Sequence, residues 1–460
     1  MFRFFLAAVV PCALTLVAYA APAGGAPNVL LILTDDQRAD TIAALGNPII
    51  QTPSLDSLVR GGTVFDRAVS PNPLCVPARA EIMTGTCGLR GDKIDVSLKG
   101  KPLWAESMRA AGYHTWYVGK WHNEGRTTTR GYEETQGLYY GGGGKKLTFP
   151  VDHYGRPVTG YVGWVFQDPD GRLRPELGVG LTPDTDVHMA DAAITLIRRK
   201  PERPFFLHVN FTAPHDPLLI PPGWEGKYDP AKMPLPANFR PEHPFDHGNF
   251  DGRDERLFAR PRTPEEVRKE LAAYYAVISH MDQQIGRILA ALEETGQARQ
   301  TIVIFASDQG LAVGSHGLRG KQNMYEHTVH APLVMKGPGI RPGWRSGAQC
   351  YLRDLFPTVC ELAGVAIPPG VEGRSLAPVL RGQQESIYPC VYGYFGQVQR
   401  MIRTDRWKLI HYPKIDRYQL FDLAKDPDEL VDLAGRAEHA STVKELRAKL
   451  DAWLQERERQ

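Results

Sequence analysis

The sequence predicts an α/β fold, a sandwich in which a large mixed, mostly parallel sheet is covered by helices. The prediction starts from three continuous apolar runs, at residues 28–34, 205–211 and 301–306. Strands that are buried on both faces have such sequences, and they occur in parallel sheets covered by helices. Helix-like segments separate the runs, and this alternation is typical of an α/β architecture.

The predicted elements also indicate where a functional site would form. The helices between the strands are expected at residues 54–61, 186–199 and 263–295. Each predicted strand is followed by polar residues, at 35–36, 212–216 and 307–309. Functional groups of open α/β sheets gather at the carboxyl ends of the strands, so these polar residues are expected to meet there.

The pattern changes near residue 383. Short strand candidates separated by turn residues follow, at 391–395, 399–404, 407–412 and 418–421, with a helix at 441–457. We expect a small antiparallel sheet packed with one helix, which makes residues 383–460 a C-terminal subdomain beside a main α/β domain of residues 21–382. Residues 217–264, rich in proline, glycine and aromatic residues, are expected to form long loops over the site rather than core.

Composition excludes some classes of partner. The chain has 460 residues, 42% hydrophobic and 23% charged, which is an ordinary globular balance with room for a large core. The formal net charge is only +2, so no overall field favours nucleic acid or an acidic membrane surface. Attraction for an anionic ligand must therefore come from a local cluster of cations.

The first twenty residues have the pattern of a secretory signal peptide. Arg3 precedes an apolar run at residues 4–20 that ends in Ala18-Tyr19-Ala20, and cleavage is expected after Ala20. A membrane anchor is the alternative, but Pro11 and the lack of a basic flank after Ala20 weigh against it. No other stretch approaches the roughly 20 apolar residues of a membrane span. The expected protein is exported, periplasmic or extracellular, with no stable membrane anchor.

The cysteines form an odd set after export. Six are present, and Cys12 leaves with the signal peptide. The remaining five, Cys75, Cys87, Cys350, Cys360 and Cys390, are too sparse for a disulfide scaffold. Either one thiol is free, or one of these residues is not a thiol in the mature protein.

One cysteine lies in a distinctive segment. Residues 73–79 read Pro-Leu-Cys-Val-Pro-Ala-Arg, and residues 80–85 continue Ala-Glu-Ile-Met-Thr-Gly. Pro77 suits the first turn of a helix, because the amide that it lacks would be unpaired there. A helix that begins near residue 76 would direct its positive end at Cys75 and favour an anion. The alternative is a buried structural Cys75 with a surface Arg79.

Three further segments carry candidate site residues. Residues 112–122 predict a strand that ends at Gly119 and presents Lys120 and His122 on one face. His215 follows the second apolar run, and Lys321 lies in the segment 320–327. A solvated lysine and a structural histidine are the alternatives for Lys120 and His122.

Together these segments, which span about residues 27–412, resemble the type I sulfatases of the alkaline-phosphatase-like superfamily. The Cys-x-Pro-x-Arg core with its Thr-Gly tail is similar to the family signature, although Val76 stands where the family usually has a small residue. The resemblance implies that a maturation enzyme oxidises Cys75 to formylglycine, and that the hydrated aldehyde is the nucleophile. The implied activity is hydrolysis of a sulfate ester to free inorganic sulfate.

The resemblance also implies the roles of the site residues. The implied catalytic set is Cys75, Arg79, Lys120, His122, His215 and Lys321. One calcium ion would be held by Asp35, Asp36, Asp308, Gln309 and the hydrate oxygen of residue 75 (Cys75), with Gln309 where many relatives have Asn. Three carboxylates and an amide oxygen suit calcium or magnesium rather than zinc.

In the implied mechanism, His215 protonates the leaving oxygen and His122 acts as the base that releases sulfate from residue 75. His316, His327 and His330 are expected to satisfy loop hydrogen bonds or to touch the sugar. The expected substrate is a sulfated carbohydrate, in a pocket with candidate lining residues Trp224, Tyr228, Phe239, His243 and Phe250.

Two other functions stay open on the sequence. A phosphate or phosphonate ester hydrolase would use a similar metal site, and an inactive glycan-binding protein could keep the same scaffold. The filled set of implied catalytic positions weighs against the second.

Overall fold

A computed structural model describes residues 25–459, so the predicted signal peptide and Cys12 lie outside the described residues. The strands are β1 Asn28–Thr34, β2 Thr63–Phe65, β3 Ala68–Val69, β4 Leu89–Arg90, β5 Lys93–Ile94, β6 His114–Lys120, β7 Glu134–Gly141, β8 Trp164–Gln167, β9 Phe205–Asn210, β10 Thr301–Ser307, β11 Leu333–Lys336, β12 Trp344–Ser346, β13 Cys350–Tyr351, β14 Val391–Phe395, β15 Gln399–Arg403, β16 Trp407–Tyr412 and β17 Arg417–Asp422. The α-helices are α1 Pro53–Gly61, α2 Cys75–Thr84, α3 Trp104–Ala110, α4 Thr185–Ile197, α5 Pro264–Glu294, α6 Glu326–Val329, α7 Leu355–Ala363, α8 Ala377–Leu380 and α9 Ala440–Glu458.

The main sheet has nine strands in the order β12-β2-β11-β10-β1-β9-β6-β7-β8. The five strands from β10 to β7 run parallel to one another, and antiparallel pairs flank them at β10–β11 and β7–β8. The predicted mixed, mostly parallel sheet is therefore confirmed. Its three predicted central strands have the observed bounds within one residue at each end.

Both faces of the main sheet are buried, which explains the continuous apolar run of β1. Leu30 and Ile32 pack into one core cluster with residues of α1, α4 and α5. Leu31 and Leu33 point to the other face and pack with residues of α2, α3 and α7. Because neighbouring side chains of a strand point to opposite faces, a strand covered on both sides has to be apolar at each position.

The C-terminal part is a four-stranded antiparallel sheet, β14-β15-β16-β17, covered by α9. Leu409 and Leu420 of the sheet pack against Leu446 and Leu450 of the helix. These elements match the predicted subdomain, whereas its boundary at residue 383 stays a prediction.

The segment 217–264 corrects one expectation. It contains no strand and no α-helix before the first residue of α5, as predicted, but it is not only a cover for the site. Leu218, Tyr228, Met233 and Phe258 are buried in the main core cluster. The prediction that this segment lies outside the core is therefore wrong for these side chains.

Two global expectations can be checked on the described residues. No helix within residues 25–459 has the length and apolar character needed to cross a membrane. The five cysteines of this range are all free, so none of them forms a disulfide with another.

Candidate active site

The predicted site residues meet at the carboxyl edge of four neighbouring strands, β10, β1, β9 and β6. In the register of these strands Thr34 pairs with Ser307, and Asn210 pairs with both Leu33 and Gly119. The residues that follow these positions therefore come together, although they are far apart in the sequence. The topology brings Asp35, Asp36, Lys120, His215, Asp308 and Gln309 to one edge of the sheet.

Three carboxylates lie together at this edge. Asp35, Asp36 and Asp308 are almost fully buried, and one oxygen of each lies within 4.8 Å of the others. Asp36 adopts a left-handed backbone conformation, φ 68°, and its amide donates to Asp308 Oδ1 at 3.2 Å. Burial, together with the charge of Asp35, raises the pKa of Asp308 to about 7. Such repulsion between carboxylates is what a bound cation relieves.

Each carboxylate has a cationic partner. Lys120 Nζ lies 2.5 Å from Asp35 Oδ2, and Lys321 Nζ lies 2.8 Å from Asp36 Oδ2. Arg79 Nη2 lies 3.0 Å from Asp308 Oδ2. These cationic partners offset part of the cost of burying three carboxylates together.

Burial disfavours charge on Lys321, but Asp36 outweighs this effect and holds the lysine pKa well above its usual value. The pKa of Arg79 is likewise raised, because Asp308 and Asp35 outweigh its burial. Both side chains therefore stay cationic in this buried setting.

Cys75 is the first residue of α2 and lies over the charge cluster. Its Sγ is 3.1 Å from Asp35 Oδ1, 3.2 Å from Lys321 Nζ and 3.3 Å from Gln309 Nε2. The first backbone bond of the helix runs from the Ala78 amide to the Leu74 carbonyl. The amides before Ala78 are thus left for other acceptors, and the helix dipole favours an anion at residue 75.

The thiol itself is poorly suited to be a nucleophile. Burial and the charge of Asp35 raise the pKa of Cys75 to about 12, so the sulfur is protonated at neutral pH. The reactive form of cysteine is the thiolate. This environment therefore gives an unmodified Cys75 little reactivity.

Two predicted histidines flank Cys75 in different ways. In His215, Nδ1 lies 2.6 Å from the Asp216 carbonyl oxygen, and Nε2 lies 3.7 Å from Asp36 Oδ2. A proton on Nδ1 would be donated to that carbonyl, which leaves Nε2 to face the carboxylates. His122 packs edge-on against Trp164, with ring centres 5.0 Å apart. Burial and the nearby Lys120 lower the pKa of His122 to about 2, so its ring is neutral.

Gln309 also joins the cluster. Its Nε2 donates to Asp36 Oδ1 at 2.7 Å, while its buried Oε1 has no partner within residues 25–459. The amide of Gln309 thus lies against Asp36 and Cys75. The two ends of an amide are assigned from their hydrogen bonds, so an exchange of the ends would turn an oxygen toward the carboxylates. The donor set of three carboxylates and one amide fits a hard cation.

A cavity of about 370 Å³ opens above this cluster. Its walls include four of the predicted site residues together with residues that the sequence did not indicate. The first group is Cys75, His122, His215 and Lys321, and the second includes Tyr161, Trp164, Arg253 and Asp254.

Several residues that position the site were not assigned a role from the sequence. Tyr161 donates its hydroxyl proton to Asp35 Oδ2, and Asn210 Oδ1 accepts from Arg79 Nη1 at 2.6 Å. The Asp216 carbonyl contacts His215, and the Asp216 carboxylate accepts two hydrogen bonds from the Arg253 guanidinium, at 2.7 and 2.9 Å. The position of Asn210 at the end of a predicted strand could have identified it as a site residue. Tyr161 lies outside any strand or helix, so no sequence pattern indicates it.

The proposed aromatic lining is wrong. The cavity walls contain none of Trp224, Tyr228, Phe239, His243 and Phe250, and Tyr161 and Trp164 supply the aromatic rings instead. The Tyr228 hydroxyl is hydrogen-bonded to that of Ser279, and the Arg260 guanidinium stacks on the Phe250 ring. Both aromatic side chains therefore make contacts outside the cavity.

The three extra histidines also lie outside this cavity. His316 lies 3.1 Å from the Asn238 side-chain amide and stacks on Tyr325, which confirms a loop contact for that residue. His327 and His330 line a separate cavity of about 140 Å³ with Glu326.

Comparison with known families gives two matches that together cover most of the chain. The family model "Sulfatase" matches residues 27–365, and the model "N-sulphoglucosamine sulphohydrolase, C-terminal" matches residues 314–456. The second match begins before the C-terminal sheet and includes it.

Curated relatives are similar over nearly their full lengths. An arylsulfatase of Clostridium perfringens is 30% identical, over 94% of this chain and 95% of its own. A choline-sulfatase of Rhizobium meliloti is 29% identical, over 89% and 83%. An N-acetylglucosamine-6-O-sulfatase of Bacteroides thetaiotaomicron is 27% identical, over 91% and 85%.

Solved structures show the same fold. A structure in complex with its substrate D-glucosamine-2-N,6-O-disulfate has a TM-score of 0.74 at 24% identity and covers 94% of this chain and 98% of that one. The phosphonate monoester hydrolase of Agrobacterium radiobacter has a TM-score of 0.76 at 23% identity, with coverage of 94% and 96%.

Proposed function

The chain belongs to the sulfatase family and is a sulfuric ester hydrolase, and we propose that it acts on a sulfated carbohydrate through formylglycine at residue 75 and one calcium ion. One observation carries the chemical part of the proposal. Three buried cations pair with three buried carboxylates next to Cys75, whose Sγ contacts Asp35 and Lys321 and which lines an open cavity.

This charge balance supports the binding of a cation and an anion together. A divalent cation among Asp35, Asp36 and Asp308 would compete with Lys120 and Lys321 for the carboxylates. The released cations would then face the oxygens of a sulfate group. Fixed charges aimed at the developing oxyanion are the main source of rate enhancement expected in such a site.

The proposed metal ligands are Asp35, Asp36, Asp308 and Gln309, together with an oxygen of modified residue 75. Bound calcium would supply a Lewis acid for the sulfate oxygens. The three carboxylates offer only oxygen ligands, and the raised pKa of Asp308 reflects unfavourable burial of its negative charge. Both observations support a bound metal cation here.

Formylglycine would supply a hydrated aldehyde, which offers an oxygen nucleophile in place of the protonated thiol. Arg79 would orient that oxygen and the metal-bound Asp308, since the guanidinium already holds Asp308 at 3.0 Å. Lys120 and Lys321 would bind sulfate oxygens. The proposal requires a maturation enzyme that modifies Cys75.

The two histidines would carry the proton transfers. Contact with the Asp216 carbonyl at 2.6 Å favours the His215 tautomer with its proton on Nδ1, so Nε2 must gain a proton before it serves as the general acid for the leaving oxygen. The neutral ring of His122 would accept the proton whose removal releases sulfate from residue 75. An anionic sulfate next to Lys120 would offset part of the effect that lowers the His122 pKa.

A carbohydrate is proposed as the alcohol half of the ester. One relative is named as an N-acetylglucosamine-6-O-sulfatase, another as an ulvan-active sulfatase, and one structural neighbour holds a glucosamine disulfate. The cavity here has two aromatic rings and several polar side chains, a combination suited to a sugar.

We further propose export to the periplasm or the outside of the cell, from the signal-peptide pattern at residues 1–20. The chain is expected to divide into a catalytic domain of residues 21–382 and a C-terminal subdomain of residues 383–460.

The function is tested by the products that matured protein releases. Purified protein should release sulfate from 4-nitrophenyl sulfate and from members of a panel of sulfated mono- and polysaccharides, and it should hydrolyse 4-nitrophenyl phosphate far more slowly. Lys321→Ala should lose this activity, whereas Lys269→Ala, at an exposed lysine paired with Glu265, should keep it. A preference for the phosphate ester, or release of sulfate from no carbohydrate, would contradict the proposal.

A further inference from the structure

One part of the cavity wall is charged but has no role in the proposed chemistry. Arg253 and Asp254 line the cavity together with Lys321. The side chain of Arg253 is 33% exposed, whereas that of Asp254 is only 2% exposed. They come from segment 217–264, which contains no strand and no α-helix before the first residue of α5.

The hydrogen bonds of Asp254 are incomplete. Its Oδ1 lies 2.5 Å from Arg253 Nη2, but its buried Oδ2 accepts no hydrogen bond from any residue that the structure describes. A buried carboxylate oxygen without a donor is costly, and this cost is removed when a ligand supplies the donor.

Arg253 fixes the orientation of that carboxylate. Its guanidinium also binds both oxygens of Asp216, at 2.7 and 2.9 Å, and Thr159 Oγ1 at 3.2 Å. With these contacts made, Arg253 has little freedom to turn toward Asp254 Oδ2. The arginine is thus a positioning residue, and the aspartate is the group left to meet a ligand.

We propose that Asp254 accepts a hydrogen bond from a hydroxyl group on the alcohol half of the substrate, and so selects hydroxylated alcohols. This inference rests on the proposed function. An acceptor-only carboxylate requires a donor on the ligand and opposes a second anionic group beside it. The cavity also offers the rings of Tyr161 and Trp164 for the apolar face of a sugar.

The test uses three matured proteins: the natural chain, Asp254→Asn and Asp251→Asn. The last is a matched control, since the Asp251 side chain is 90% exposed in the same segment. Substrates are 4-nitrophenyl sulfate, choline sulfate and the monosulfates of glucose, galactose and N-acetylglucosamine. The best sugar ester is then compared with analogues that lack one hydroxyl each.

We expect one deoxy analogue to lose roughly 10- to 100-fold in kcat/KM with the natural chain, the scale of a hydrogen bond to a charged group. Asp254→Asn should lose a similar factor on the parent sugar ester relative to 4-nitrophenyl sulfate, and should no longer distinguish that analogue. Asp251→Asn should behave like the natural chain.

The proposal is overturned if no deoxy analogue is discriminated, if Asp254→Asn affects sugar and aryl esters equally, or if choline sulfate is the best substrate. If Asp254→Asn does not fold, Asp254→Ser takes its place in the same comparison. Absence of any sulfate release by the natural chain would instead count against the proposed function itself.

Discussion

Residue 75 is where the chemistry of the site depends on a single side chain. Cys75 is buried, and its Sγ lies 3.2 Å from Lys321 Nζ and 3.3 Å from Gln309 Nε2. Burial and the charge of Asp35 raise its pKa. A protonated thiol at this place is a weak nucleophile, yet the cations around it are arranged to receive an anion. The two facts are compatible if the residue acts in a modified form.

We expect active protein to carry an aldehyde at residue 75. Mass spectrometry of the peptide that contains it should show loss of the thiol and gain of formylglycine. Cys75→Ala should abolish turnover with little change in melting temperature, because the substitution removes one buried atom. Cys360→Ala, at a buried free cysteine in α7, is the control and should stay active. Active protein with only unmodified cysteine at residue 75 would refute the prediction.

Substitution of His215 and of His122 should slow different steps of the reaction. His215→Ala should slow alkyl sulfates far more than aryl sulfates, since a phenolate leaves with little help from an acid. His122→Ala should release a burst of alcohol and then stall, with sulfate retained on the residue-75 peptide. Each loss is expected at roughly 10²–10⁴-fold.

Single-turnover kinetics with an aryl sulfate, followed by mass spectrometry of that peptide, separates these roles. Retained sulfate in His215→Ala and never in His122→Ala would reverse the assignment.

Among the elements of the fold, the backbone conformation near the end of β6 shapes the site. Gly119 adopts φ +88° in β6, where the pairing with β7 shifts register. A Cβ at this position would lie 2.1 Å from the Asn210 carbonyl oxygen of the neighbouring strand. Only glycine allows the two strands to approach here, directly before Lys120 enters the charge cluster.

Gly119→Ala should therefore lower both stability and activity. Left-handed strain alone costs about 1–2 kcal/mol, and the clash with Asn210 adds to it. Gly112→Ala is the control, since Gly112 has φ +90° but nothing within 4 Å of its Cβ position. Denaturant unfolding should show a larger loss for Gly119→Ala, and only that variant should lose kcat. Equal losses would mean that the close approach has no role.

In the tertiary structure, a buried ion-pair network joins the C-terminal sheet to α6. Glu326 of α6 binds Arg403 of β15 and Lys408 of β16, each at 3.0 Å. Glu429 binds Lys408 at 2.8 Å and accepts from the Glu326 amide at 2.7 Å. Buried ion pairs therefore anchor the C-terminal sheet to α6.

We expect Glu326→Ala to destabilise the protein by about 3 kcal/mol, because Arg403 is left buried without its carboxylate. Glu445→Ala, which removes an exposed pair with Lys449, should change stability by about 0.5 kcal/mol or less. Differential scanning calorimetry should show one transition in the natural chain. A negligible effect of Glu326→Ala would show that apolar packing alone holds the sheet.

Calcium should stabilise the whole fold. A ligand that binds only the folded state raises the melting temperature, by an amount that grows with the logarithm of the free ligand concentration above Kd. We expect chelation to lower the melting temperature and activity together, and Asp308→Ala to remove both metal and response. Asp66→Ala, at a surface carboxylate paired with Arg345, should retain the response. Stoichiometric zinc, or full activity after exhaustive chelation, would contradict the calcium assignment.

The α/β class, the central strands and most of the candidate site are predictable from the amino-acid sequence. Continuous apolar runs such as residues 28–34 are a local consequence of burial on both faces, so they can be read without the fold. The segments around Cys75, Lys120 and Lys321 were also recognisable, because motifs near catalytic groups are contiguous in the chain.

The surroundings of these residues, in contrast, depend on how distant segments fold together. Tyr161 reaches Asp35 across 126 positions, and Asp254 reaches the cavity from an irregular segment. The aromatic side chains that composition placed in the pocket pack elsewhere, as Tyr228 does against Tyr275. Burial at a site wall depends on how distant segments meet, and neither periodicity nor composition carries that information.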